Sequence, residues 1–293
     1  IQENCARDGD MIVVREGAID PEYVRLRGGD FSAGDRLLDA GRLIGARELS
    51  LAAAMGHGTL GVRRRPRVAL LSTGDELVLP GSSPGPGQIV CSNHLGIAAL
   101  VEAAGATATF LGIARDTRDD LRAHVERAAD ADVLVTIGGA SVGDHDLVGP
   151  VLGELGMTLA FWRIAMRPGK PLMFGRLGSR CVIGLPGNPV SSLICTRLFL
   201  VPLIGALLGR GQMADAPRMI PVSTELEKNG ARAHYMRAVT EPRSDGTTNV
   251  RPVRSQDSSL LSPLAEADCL IVRPIGAAPV PAGTPVPVIT LGM

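Results

Sequence analysis

Residues 132–147, DVLVTIGGASVGDHDL, constrain this chain more than any other stretch, because a run of aliphatic and β-branched residues stops abruptly at paired glycines. Val133, Leu134, Val135 and Ile137 are the pattern of a strand covered on both faces, as in a parallel sheet flanked by helices. Gly138, Gly139 and Gly143 carry no Cβ where the chain turns, which lets backbone N–H groups face a ligand. A helix expected to start near Asp146 adds its N-terminal dipole at the same point. The loop suits phosphate or another oxyanion, and Asp144 and Asp146 suit it when a cation accompanies the anion. A phosphorylated ligand with a divalent metal is therefore expected, although the same glycines also make an ordinary strand-to-helix turn that binds nothing. Two nucleotide loops are excluded. No G-x-x-x-x-G-K-[ST] occurs, and the strand at 68–72 is followed by Thr73-Gly74-Asp75-Glu76, not by G-x-G-x-x-G.

Around this strand the apolar pattern alternates between two periods. Strands are predicted at 68–72, 107–113, 133–137, 159–164 and 181–185. Helices are predicted at 93–104, capped by Ser92, at 118–129, from near 146 to about 155, and after Pro189. Such alternation predicts an α/β chain with a doubly wound, mostly parallel sheet. Ligands of such sheets sit beyond the carboxyl ends of the strands. Asp75 and Glu76, Asp116, the GGASVGDHD loop and Pro186-Gly187-Asn188-Pro189 all fall there. Beyond about residue 214 short runs at 219–222, 235–239, 269–272 and 286–289 lie among Pro and Gly, as in a small β-rich domain. Upstream, 11–14 and 23–26 read as strands ending a small β-domain, and a helix after Gly45 with Leu49, Ala52 and Ala53 at helical spacing reads as a connector. The expected boundaries are 1–30, 31–62, 63–213 and 214–293. The chain opens at Ile1 inside what reads as folded sequence, so part of the natural protein is expected to precede it.

Lys plus Arg and Asp plus Glu number 30 each, so no net field favours nucleic acid or an anionic membrane. The five cysteines show no C-x-x-C spacing, which argues for a reducing, cytoplasmic setting without structural zinc or disulfides. The apolar run at 193–208 holds Arg197 and Pro202 and reads as a buried helix, not a membrane span.

Glu76, Asp116 and Asp146 are oxygen donors on neighbouring strand ends, apt for Mg²⁺ bridging to phosphates, or alternatively helix caps and loop charge. Arg167-Pro168-Gly169-Lys170 supplies two cations beside a glycine, suited to an oxyanion or to a surface turn. Ser141, without a histidine at triad spacing, suits a phosphate hydrogen bond better than nucleophilic attack. His145 and the scattered His57, His94, His124 and His234 give no metal cluster. Pro186 and Pro189 rigidify a loop that shapes a pocket floor.

The ordered set STGDEL (72–77), GQIVCSN (87–93), LGIARD (111–116), GGASVGDHD (138–146), MRPGKP (166–171) and GLPGNPVS (184–191), with RGGDFSAGD (27–35), closely resembles the molybdopterin molybdenumtransferase (MoeA) family, whose human relative is the E domain of gephyrin. The resemblance implies insertion of molybdenum from molybdate into adenylated molybdopterin with release of AMP, in an elongated homodimer with sites shared between subunits. It implies that Glu76, Asp116 and Asp146 surround the metal and pyrophosphate and that Asp30 is a further acidic site residue from a neighbouring domain across the dimer. It likewise implies that Gly138, Gly139, Ser141 and Gly143 form the pterin-phosphate loop, that Arg167 and Lys170 contact the anion, and that Pro186 and Pro189 line the pocket. Ala140, Arg167 and Cys91 stand where the family usually has Val, Lys and often Asp. The alternatives are ATP-dependent adenylation of molybdopterin and a non-catalytic molybdopterin-binding scaffold. A third is a preference for tungstate, an oxyanion that shares the charge and shape of molybdate.

Overall fold

The computed structural model describes residues 2–17, 24–139, 147–211 and 216–292. The chain divides into two compact units, Ile1–Gly61 and Val62–Met293. In the first, β1 (Cys5–Asp8) and β2 (Met11–Val14) form an antiparallel hairpin turned at Gly9, whose φ is +61°. Every residue of both strands is exposed. Residues 24–26, expected to continue a strand, join no sheet. Helix α1 (Ala46–Ala54) starts where the Glu48 carboxylate accepts from the Gly45 N–H at 3.0 Å, and Arg42 donates to the same carboxylate at 2.7 Å. The Arg42 bond leads the causes that hold the Glu48 carboxyl down to about 2. Of the helix's expected apolar face only Ala52 is buried; Leu49 is exposed, because this unit offers α1 little apolar surface to pack on.

The second unit begins with β3 (Arg67–Thr73), β4 (Leu77–Val78), β5 (Ile89–Val90), α2 (Asn93–Ala103), β6 (Thr107–Ala114), α3 (Arg118–Arg127), β7 (Val133–Ile137) and α4 (Val148–Glu154). There follow β8 (Thr158–Trp162), β9 (Met166–Arg167), β10 (Met173–Leu177), β11 (Arg180–Leu185), α5 (Pro189–Cys195) and α6 (Val201–Leu207). The main sheet runs β6-β3-β7-β11-β10-β8. Its first four strands are parallel, and β10 is antiparallel to both neighbours. The sequence pattern does not announce β10, because Gly175 and Arg176 interrupt its apolar run; a two-residue turn at Gly178, φ +61°, folds it onto β11.

Side chains alternate across the sheet as strand geometry requires. Val68, Leu70, Val133, Val135 and Ile183 pack under α2 and α6 with Ile97, Val101 and Ile204. Ala69, Leu71, Leu134 and Val182 pack on the other face under α3 and α4 with Leu121, Val125 and Val151. Each Val, Leu or Ile side chain fully buried in this way contributes about 1.5–3 kcal/mol. Thr117 caps α3, its hydroxyl accepting from the Asp120 N–H, but Ser92 is αR and makes no cap bond to α2. The helix over Pro189–Leu207 is long and apolar enough to cross a membrane, yet half of it is buried inside the protein, with Val190, Ile194, Leu200 and Ile204 fully covered. It widens to a π turn over Thr196–Leu200, just ahead of Pro202, which has no N–H to continue the α-helical ladder.

The remainder folds as β12 (Arg218–Pro221), β13 (Ala233–Pro242), β14 (Thr248–Pro252), α7 (Ser262–Glu266), β15 (Cys269–Arg273) and β16 (Pro285–Thr290). Their antiparallel sheet is ordered β12-β16-β15-β13-β14 around Val222, Ala238, Val250, Ile271 and Val288. Strand β14 and helix α7 have no counterpart among the expected elements. Strand β9 crosses over and pairs with β13 in parallel, setting Arg167 beside His234.

Candidate functional site

Because β6, β3, β7 and β11 are adjacent and parallel, the loops at their carboxyl ends share one rim. Gly74 and Gly138 prolong the ladders, their N–H groups donating to Ala114 O at 3.2 Å and Leu185 O at 3.0 Å. The sheet thus occupies the Gly138 N–H expected to face a ligand. Both glycines of the pair are sterically required. A Cβ on Gly138 (φ +91°) would stand 2.9 Å from Thr73 O, and one on Gly139 (φ +59°) 2.5 Å from Val148 Cγ2. The buried Thr73 Oγ1 has no hydrogen-bond partner among the described residues, so a polar group at this corner would find a donor and acceptor ready.

Glu76 and Asp116 are exposed on adjacent loops. The Asp75 carboxylate spans them, accepting from the Asp116 N–H at 3.3 Å, and the Glu76 carboxylate folds back over Gly74. Among the described residues no three His, Cys, Asp or Glu gather as a metal site. Asp144, His145 and Asp146, with Ala140, Ser141 and Gly143, lie outside the described residues, and α4 is described from Val148. Asp30 is an exposed turn residue of the first unit. Cys91 faces inward: it is buried, with Sγ 3.2 Å from Ser72 Oγ and 3.4 Å from His94 Nδ1, and burial pushes its thiol pKa up.

Arg167 and Lys170 line a different feature, a cleft of about 280 Å³ where the main sheet's loops meet the C-terminal sheet. Asn188 and Ser191 line it from the β11–α5 loop and α5, Arg232 and His234 from the start of β13, and Gln256 and Ser258 from the loop after β14. Pro186 and Pro189 do not line this cleft. They bracket Asn188, while Asn93 Nδ2 donates to Gly187 O at 2.7 Å and the Ser192 hydroxyl donates to Pro186 O. Three cations, two hydroxyls and two amides face the cavity, and among the described residues no carboxylate lines it. Such a surface binds a compact anion through charge-assisted hydrogen bonds.

Buried polar groups hold these side chains in place. Asn229 Oδ1 accepts from Arg167 Nη2 at 2.9 Å, while its Nδ2 donates to the carbonyls of Arg232, Arg273 and Pro274 at 2.9, 3.1 and 2.6 Å. His234 lies between Arg167 on β9 and Arg273 on β15. Burial, then the charges of Arg167, Arg237, Arg232 and Arg273, push its pKa down to about 4, so the imidazole is neutral near pH 7. The sequence gives no binding role to Arg232, His234, Gln256 or Ser258. Spacing of Arg232 and His234 by two residues at the start of a strand pattern is a weak signal for the first pair; the loop residues have none.

Residues 69–206 match a family described as a probable molybdopterin binding domain, and residues 220–291 match the MoeA C-terminal region (domain IV). A molybdopterin molybdenumtransferase of a Nostoc species is 35% identical over 99% of this chain and 68% of its own length. That of Haemophilus influenzae is 34% identical over 86% and 62%. The chain thus spans about two thirds of the length of such relatives. The MoeA crystal structure from Pyrococcus horikoshii superposes with a TM-score of 0.81 at 29% identity, covering 99% of this chain and 71% of that one.

Proposed function

This chain belongs to the molybdopterin molybdenumtransferase family, and from that membership we propose that it inserts molybdenum from molybdate into adenylated molybdopterin with release of AMP. The observation that carries the reading is the cleft in which Arg167, Lys170 and Arg232 meet hydroxyls and amides without a carboxylate. A tetrahedral dianion is stable there, because every polar wall group can donate and no fixed negative charge opposes it. The molybdate oxyanion, as substrate, occupies this cleft.

The adenylated pterin lies along the strand-end rim. Gly139, with Ser141 and Gly143 of the same glycine-rich sequence, holds the pterin phosphate. Glu76, Asp116 and Asp146 are hard oxygen donors and would hold Mg²⁺, which supplies charge neutralisation at the pyrophosphate. Asp30 joins the acidic set from a second copy in a homodimer. Pro186 and Pro189 keep the loop between rim and cleft rigid, so that both substrates meet a fixed surface. The protein works in the cytoplasm on small molecules, without nucleic acid or membrane, which agrees with its balanced charge.

The test is AMP release from adenylated molybdopterin in the presence of Mg²⁺, with molybdate added or withheld. Release that depends on molybdate is expected. ATP consumption without molybdate would convert the reading to adenylation, and tight pterin binding without turnover would convert it to a scaffold.

A further inference from the structure

The C-terminal sheet holds a buried cation that the proposed chemistry leaves unused. Arg237 of β13 is 1% exposed, and among the described residues it forms no ion pair. Its Nη2 donates to Asp257 O at 2.9 Å and its Nη1 to Leu260 O at 3.2 Å. Its main chain brackets a second side chain. The Arg237 N–H donates to Gln256 Oε1 at 3.0 Å, and its carbonyl accepts from Gln256 Nε2 at 2.9 Å. Burial lowers the pKa of this guanidinium, with the Asp257 charge opposing. An apolar residue of similar volume would fill the space without that desolvation.

The segment Arg237 grips is the one that delivers Gln256 and Ser258 to the cleft. The same segment is also fastened by Asn188 Nδ2, which donates to Ser258 Oγ at 3.0 Å, and by the Val190 N–H, which donates to Ser258 O at 3.2 Å. Between these anchors it has no strand pairing of its own. We propose that Arg237 is a positioning residue for the oxyanion: it fixes the 256–260 loop so that Gln256 and Ser258 meet a tetrahedral anion together with Arg232 and Lys170. The inference rests on the oxyanion reading of the cleft. Lysine cannot replace it, since a single ammonium does not span two carbonyls as a planar fork does.

Equilibrium dialysis of sodium molybdate against the intact chain tests this with R237K, S258A and the double variant, each checked by circular dichroism melting. R237K is expected to weaken binding about tenfold, as loss of buried charge-assisted bonds implies. S258A is expected to weaken wild type but to add little in the R237K background, because the hydroxyl is already misplaced. Wild-type affinity in R237K, or losses that simply multiply, would overturn the proposal. If R237K does not fold, R237Q enters the same cycle, and the same two results decide it. Should S258A and R232Q both bind molybdate like wild type, the oxyanion reading itself fails and takes this inference with it; losses in both with no coupling overturn only the role of Arg237.

Discussion

Gly169→Ala should damage both stability and anion binding, and the two causes can be separated. Gly169 has φ +109°, and a Cβ built on it stands 2.4 Å from Cys195 Sγ and 2.7 Å from Met166 Cε. Ordinary carbon contacts lie at about 3.5–4.0 Å, so the overlap at sulfur exceeds about 1 Å. The Met166 methyl is the far end of a flexible chain and can swing aside. Cys195 is fully buried on the helix after Pro189 and has nowhere to go. Overpacking of this kind costs about 1–3 kcal/mol, and forcing alanine into the left-handed region adds about 1–2 kcal/mol. The sum is about 2–5 kcal/mol, read as a shift in the urea midpoint followed by circular dichroism. Because Arg167 and Lys170 flank the glycine, molybdate affinity should fall with it. Adding Cys195→Ala removes the clashing atom but not the backbone strain, so G169A/C195A should regain the packing part relative to C195A alone and keep a deficit of about 1–2 kcal/mol. A G169A protein within about 0.5 kcal/mol of wild type, the range of an ordinary surface change, would contradict both the clash and the strain.

His234 gives a pH signature. Its folded pKa, near 4, lies below the ordinary histidine value, so between about 6.5 and 4 the unfolded chain binds a proton that the native chain refuses. Stability should therefore fall as pH drops through that window, by at most about 3 kcal/mol from this group. His234→Gln should flatten the urea-midpoint profile there by that amount; profiles that stay parallel from pH 7 to 4.5 would dispose of the assignment. Asn229→Ala removes one acceptor and two donors from a nearly covered site, leaving three carbonyls and the Arg167 guanidinium short of partners. A loss of about 2–4 kcal/mol is expected, with weaker molybdate binding by dialysis. Unchanged affinity in a folded N229A protein would show that Arg167 is held by other means.

The parallel half of the main sheet is legible because β3, β7 and β11 are runs of buried, mostly aliphatic residues without a charge inside them, as strands covered on both faces are. Strand β10 is hidden by Gly175 and Arg176. Strand β14 is hidden by Asn249 and Arg251 at its middle, where Val250 alone is buried. The rim can be read because one topological rule sends every parallel strand's carboxyl end to the same edge. The cleft cannot. It depends on a two-residue strand, β9, pairing with β13 some sixty-seven residues later, Met166 opposite Ala233, and no local periodicity encodes a contact of that range. Among scattered histidines His234 carries no mark, since its surroundings are made by arginines on three separate strands.

The separation of rim and cleft has an electrostatic reason. Were Glu76 or Asp116 to line the cleft, they would pair with Arg167 or Lys170, and an arriving oxyanion would have to displace a carboxylate already in place. Held apart, these carboxylates do not neutralise the cations that line the cleft. The proposed reaction nevertheless needs both ligands to meet, and one short loop touches both places. Gly187 packs against Gly138, where a Cβ would sit 3.7 Å from the Gly138 Cα, and its carbonyl is tied to Asn93 at the start of α2. The next residue, Asn188, lines the cleft and bonds Ser258. Any displacement of Gly138 would therefore meet Gly187 directly, one residue from the wall of the cleft, and the flanking Pro186 and Pro189 leave that loop little backbone freedom to absorb it.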